Sequence, residues 1–270
     1  MIKLRSGLKR FGLLCWISPY LLSSLWAQDM LDGSALITSR SGQVTVTSSA
    51  GQRISAKARD TLAPTGIQIS TQANAHFILT LSNGVALALD AQTTLKCLHY
   101  TQRPFDKAAQ DLGPEPSISK LNLQLLEGQL AVASNRLSPL SELRLQLPEG
   151  ELQLHKGTCL IKINTTGLTI TSIEGNLTYY YPNSQEREFI AAPSSVRIST
   201  QSMARQQIAE STTIESLDTH DLKLSQAAQH ASKRVTFLPN DTINTAPEPM
   251  LIVPSEYFTQ PDFRPYQFKH

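Results

Sequence analysis

Alternation is the feature that most constrains this chain. From Gly33 to about Thr200 it runs through short stretches in which aliphatic and polar residues take turns: GQVTVT (42–47), HFILTL (76–81), GVALAL (84–89), GQLAVA (128–133), ELRLQL (142–147), CLIKI (159–163) and GLTITSI (167–173). A period of two with β-branched and aliphatic residues predicts strands with one buried and one wet face. No 3.6-residue period of comparable length interrupts them. Six runs share the order glycine, any residue, aliphatic, any residue, aliphatic, with glycines at 42, 66, 84, 128, 150 and 175. The spacing is a loose repeat of about 22 residues, which predicts an all-β domain over 34–200, either a β-roll or short solenoid or a two-sheet β-sandwich.

Glu127-Gly128, Glu149-Gly150 and Glu174-Gly175 each precede a predicted strand. Their equivalent positions read as turns, with glycine supplying the positive φ and the glutamate marking a solvated loop end. Thr101 to Lys120 is a long polar interruption with three prolines, read as a surface excursion or a functional loop. After Thr200 the alternation is lost. The segment 201–235 gains Ala, Gln and Glu and reads as helical and polar, while 236–270 is rich in proline and carries Tyr257, Phe258, Phe263, Tyr266 and Phe268. That tail reads as extended, its aromatics docking on the β domain or on a partner.

The first 27 residues have the order of a secretory signal: Lys3, Arg5, Lys9 and Arg10, then an apolar run from Phe11 to Leu22, then small and polar residues up to Ala27. Pro19 and its serines argue against a spanning helix. Removing the signal leaves acidic residues in slight excess, so no electrostatic case for nucleic acid remains. The expected location is periplasmic or secreted, and contact with a membrane is expected only if the N-terminal segment stays uncleaved.

Two cysteines, Cys97 and Cys159, would remain in a compartment that permits disulfides, and one intramolecular bridge between them is the pairing to test. The stretch HKGTCLIKI (155–163) places a histidine four residues before Cys159, but a thiol nucleophile also needs an orienting group, and none is offered. The hydrolase, metalloprotease and nucleotide-loop motifs are absent, and the six histidines are scattered without ligand spacing. No catalytic residue, cofactor or metal ligand is therefore assigned.

The order of segments resembles the FecR-type periplasmic domain. The resemblance runs from about Ile37 to Ser199, through LAPTGIQISTQANAHFILTLSNGVALALDAQTTL (62–95), LNLQLLEGQLAVAS (121–134), LRLQLPEGELQLHKGTCLIKI (143–163), TITSIEGNLTYYY (169–181) and FIAAPSSVRIS (189–199). Lys156-Gly157-Thr158 stands where the family has Arg-Gly-Thr, and Asn83-Gly84 replaces its Asp-Gly. The resemblance implies a noncatalytic, all-β extracytoplasmic domain. Its best-known members pass a signal from an outer-membrane receptor to a cytoplasmic sigma factor. Here only ten residues precede the apolar segment, so no room is expected for the anti-sigma domain. The expected function is protein interaction or sensing in the bacterial envelope, with an envelope protein as partner. The alternative is a carbohydrate or cell-wall module, for which Tyr179-Tyr180-Tyr181 is the candidate cluster. Alternation sends Tyr179 and Tyr181 to one face and Tyr180 to the other.

Overall fold

The computed structural model describes residues 30–105, 115–165, 167–182, 186–199, 209–213, 217–238 and 248–251. The strands of the first half are β1 (Leu31–Asp32), β2 (Ala35–Ser41), β3 (Val44–Thr47), β4 (Arg53–Ile54), β5 (Thr61–Leu62), β6 (Gln68–Thr71), β7 (His76–Leu81), β8 (Ala86–Leu89) and β9 (Thr94–Gln102). Next come β10 (Ser119–Ala133), β11 (Glu142–Leu147), β12 (Gly150–Asn164), β13 (Gly167–Tyr180), β14 (Arg187–Ala191), β15 (Ser194–Ser199) and β16 (Ala209–Thr213). One helix, α1 (Thr219–Arg234), precedes a hairpin of β17 (Val235–Leu238) and β18 (Glu248–Leu251).

The expected all-β fold with a C-terminal helix is present. Strands β1 to β16 form one continuous sheet that folds over on itself into two layers. One layer, capped by α1, runs β16, β15, β13, β12, β10, β8, β7, β2, β5. The other, left open, runs β14, β13, β12, β11, β10, β9, β6, β3, β4. Among the described pairings only β10 with β11 is parallel, so the loose repeat builds a folded sandwich rather than the parallel coils of a solenoid.

Strands β10, β12 and β13 belong to both layers, and each changes its inward parity partway along. In β10 the buried residues are Leu121, Leu123 and Leu125, then Leu130 and Val132; in β12 they are Leu152 and Leu154, then Cys159 and Ile161; in β13 they are Leu168 and Ile170, then Leu177 and Tyr179. An extra residue in a strand reverses which side chains face the core. The reversals fall at Gly128, Gly157 and Gly175, with φ of 89°, 152° and 82°. Gly157 and Gly175 are cross-strand partners. A Cβ on Gly157 would lie 1.9 Å from the Glu174 carbonyl oxygen, and one on Gly175 would lie 2.0 Å from that of Lys156. This corrects the sequence reading: Gly128 and Gly175 are corners inside long strands, and only Glu149-Gly150 closes a hairpin.

Between the layers lies one core, which takes in Ile37, Phe77, Leu79, Leu95, Leu145 and Tyr179. Tyr100 of β9 crosses it: its hydroxyl accepts the Asn83 N–H at 2.8 Å and lies 2.9 Å from the Ser82 hydroxyl at the β7–β8 turn. On the capped layer, Ala88, Ala131, Ala133 and Leu160 receive Leu224 and Ala228 of α1, because alanines let the helix approach closely. Asp218 caps the helix by accepting the Asp221 N–H at 2.8 Å. Lys162 pairs with Asp221 at 2.5 Å, and Ser232 donates to the Gly84 carbonyl at 2.9 Å. The segment read as helical and polar contains an edge strand, β16, before the helix. The segment read as extended begins with a hairpin whose Val235 and Phe237 pack on Leu36. Tyr257, Phe258, Phe263, Tyr266 and Phe268 lie outside the described residues.

Candidate interaction surface

The Cys/His stretch is resolved by the corner at Gly157. His155 precedes it on the outward side of the open layer, its Nε2 3.4 Å from the Thr178 hydroxyl. Cys159 follows it, faces the core and is 1% exposed. The corner therefore sends imidazole and thiol to opposite sides. Both Cys97 and Cys159 are buried and free, so the bridge considered from the sequence is not formed. They sit on different layers, Cys97 opposite Leu123 and Cys159 opposite Val132. Burial pushes the Cys97 thiol up to about 12, against a backbone hydrogen bond from His99 that lowers it. Burial also pushes Cys159 up. Neither thiol has the lowered pKa of a nucleophile.

Lys156-Gly157-Thr158 has a structural job. Gly157 makes the corner. The Thr158 hydroxyl donates to Asn135 Oδ1 at 3.2 Å and accepts from Gln229 of α1 at 3.1 Å, joining corner to helix.

The tyrosine alternation is as read. Tyr179 is in the core, its hydroxyl donating to the Glu149 carbonyl, and Tyr181 meets it edge to face with ring centroids 5.2 Å apart. Tyr180 points outward and donates to Gln153 Oε1 at 2.9 Å. Tyr180 and Tyr181 are both half-buried, and Tyr180 alone lies on the outward side.

Beside Tyr180 lies the outward side of the open layer. Cross-strand register aligns Gln124, Gln146, Glu151, Tyr180 and Arg187 in one row from β10 to β14. The adjacent row holds Asn122, Arg144, Gln153, Thr178 and Phe189. Phe189 is 61% exposed. Arg144 is paired with Glu142 at 3.5 Å and with Glu151 at 3.2 Å. Sequence reasoning found these strands but not the face, because neither row is contiguous in the chain.

The face ends at an open edge. Among the described residues β14 pairs with β13 alone. Ala192 N–H donates to Gly175 O and Tyr181 N–H to Glu186 O, so the residues bonded inward alternate with Arg187, Phe189 and Ala191. The amides of those three point away from the sheet.

The predicted loop 101–120 is shorter than it reads, since β9 extends to Gln102 and β10 starts at Ser119. Its C-terminal end is tied down by buried Glu115. That carboxylate accepts from the Ser119 and Ser141 hydroxyls, each at 2.5 Å, and from the Ser138 N–H at 2.9 Å. Burial raises the Glu115 pKa, opposed by these three hydrogen bonds.

These features define a two-layer all-β domain, capped by a helix on one side and, among the described residues, uncovered on the other. No family model matches the chain, and no curated protein does. Two crystal structures of a candidate anti-sigma factor from Parabacteroides distasonis ATCC 8503 are similar in part, at 11% identity and with TM-scores of 0.41 and 0.40. Each alignment covers 54% of this chain and 59% of the other.

Proposed function

We propose that this chain is a noncatalytic, exported FecR-like module of the bacterial envelope that senses or binds a protein partner. The order of the sequence segments supports the family, and the corner glycines give those segments a structural reason. Export rests on the residue order of 1–27. The observation that carries the protein contact is the open edge at β14, where Arg187, Phe189 and Ala191 present unpaired backbone amides to an incoming strand.

A photo-crosslinking residue at Ala191, compared with one at exposed Lys223 on α1, tests this in envelope extracts. The expected result is one discrete adduct from position 191 and none from 223. Adding Phe189→Pro removes an outward N–H and abolishes the adduct, whereas Phe189→Ala keeps it. Equal labelling from both positions, or an adduct indifferent to Phe189→Pro, contradicts strand addition at β14.

A further inference from the structure

On the flank opposite β14 the open layer ends at β4 and the capped layer at β5, and residues 55–60 run from one to the other. The chain is basic there. From Gly33 to Leu89 its cations are Arg40, Arg53, Lys57 and Arg59 and its one carboxylate is Asp60, although over the rest of the chain beyond residue 27 acidic residues are in excess. All four cations are exposed, and among the described residues none is in an ion pair. Asp60 is engaged on its own loop, accepting the Lys57 N–H at 2.8 Å. The adjacent acids lie elsewhere: Asp32 is across from Thr101 of β9, and Asp90 pairs with His220 of α1 at 2.6 Å.

The loop that carries these cations is held in place. Arg40 donates to the Ala56 carbonyl at 2.5 Å and to that of Val44 at 3.0 Å, which sets its guanidinium beside the residue that precedes Lys57. Ile37 N–H donates to Asp60 O at 3.0 Å and Arg59 N–H to Ile37 O at 2.7 Å, and Ala56 is buried. Like charges fixed this close repel one another, and fixed anions opposite them remove that cost. The flank offers charge and little else. The exposed large hydrophobic residues, Leu98, Leu126, Leu140, Phe189 and Leu222, stand on other elements, so it lacks the apolar and aromatic centre of a stable protein interface. Strands β4 and β5 have two residues each, too few for strand addition. Phe77 is the one Phe, Tyr or Trp between Gly33 and Leu89, and it is buried, so no such ring is there to stack on a base. A surface of fixed phosphates needs only the charge, each cation near it strengthening adsorption about fivefold.

We infer that the β4–β5 flank rests on the surface of an anionic bilayer, with Arg53, Lys57 and Arg59 among the lipid phosphates. The contact lies on the flank opposite β14, so loss of the bilayer contact leaves strand addition standing, and the reverse.

Energy transfer to headgroup-labelled lipid, read from a fluorophore on Ser55→Cys or on Lys223→Cys of α1, tests it in the full chain carrying Cys15→Ser. Cys97 and Cys159 are buried and stay unlabelled. With vesicles of equal parts phosphatidylglycerol and phosphatidylcholine, transfer from position 55 should far exceed that from position 223, and should fall as salt rises. With phosphatidylcholine alone the two positions should be alike, whether or not residues 1–27 hold the chain to the vesicle. Arg53→Gln with Lys57→Gln weakens the attraction about 25-fold and should bring position 55 down to its neutral-vesicle level. Lys120→Gln with Lys233→Gln removes the same charge elsewhere and should change nothing. Both pairs are exposed, so thermal melting should be unchanged. The inference is overturned if transfer from position 55 is no greater with the anionic vesicles, if position 223 transfers as strongly, if the Arg53/Lys57 variant behaves as the parent, or if single-stranded DNA at equal phosphate displaces the anionic vesicles.

Discussion

Replacing Gly157 with alanine tests the corner that makes one sheet into two layers. A Cβ there would stand 1.9 Å from the Glu174 carbonyl oxygen, on a backbone with φ of 152°. The strained backbone costs about 1–2 kcal/mol for a side-chain-bearing residue. Relief of the contact requires the β12 and β13 backbones to separate by about 1 Å, an overpacking cost of about 1–3 kcal/mol. Together these predict a loss of about 2–5 kcal/mol, out of the roughly 5–15 kcal/mol of a typical domain. The control is Gly51→Ala, at φ of 75° but with nothing within 4 Å of its Cβ, which should cost only about 1 kcal/mol. Urea denaturation followed by circular dichroism gives both numbers, with the slope of the transition unchanged. If Gly157→Ala costs no more than Gly51→Ala, the corner does not depend on close backbone approach and the reasoning fails.

Tyr100→Phe removes the hydroxyl that receives the Asn83 N–H across the core, and should cost about 1–3 kcal/mol by the same assay. For Glu115, burial raises the folded-state pKa above the unfolded value, so its contribution is most favourable at low pH and declines as pH rises through the ordinary carboxylate range toward the raised value. Glu115→Gln should therefore flatten the fall in melting temperature as pH rises above the ordinary carboxylate range; an unchanged slope would assign that fall to other groups. Cys97 and Cys159 should resist a thiol reagent in the folded protein, and both should react in urea. Absence of titratable thiols in urea without reductant would show a bridge.

Much of the fold is visible in the alternation, and so is the change of layer at Gly128. In LNLQLLEGQLAVA the apolar residues fall on odd positions up to Leu125 and on even ones from Leu130. That switch across Gly128 marks a strand changing layers, but Glu-Gly also has the local chemistry of a turn, which hides it. The alanines of GVALAL and GQLAVA carry the second missed signal: strands apolar on both faces need a cover, and α1 provides it. Strand β16 (AESTT) was not legible, since a polar edge strand has no inward stripe. The outward face of the open layer is the least legible part, because Tyr180, Glu151, Gln146 and Gln124 become neighbours only through register.

The claim that the edge of β14 is the working surface of this protein is tested most directly by hydrogen exchange of the backbone amides of an isotope-labelled full chain. The amides of Arg187, Phe189 and Ala191 should exchange rapidly, while those of Glu188 and Ile190, which face β13, stay protected. Equal protection of all five amides would contradict it.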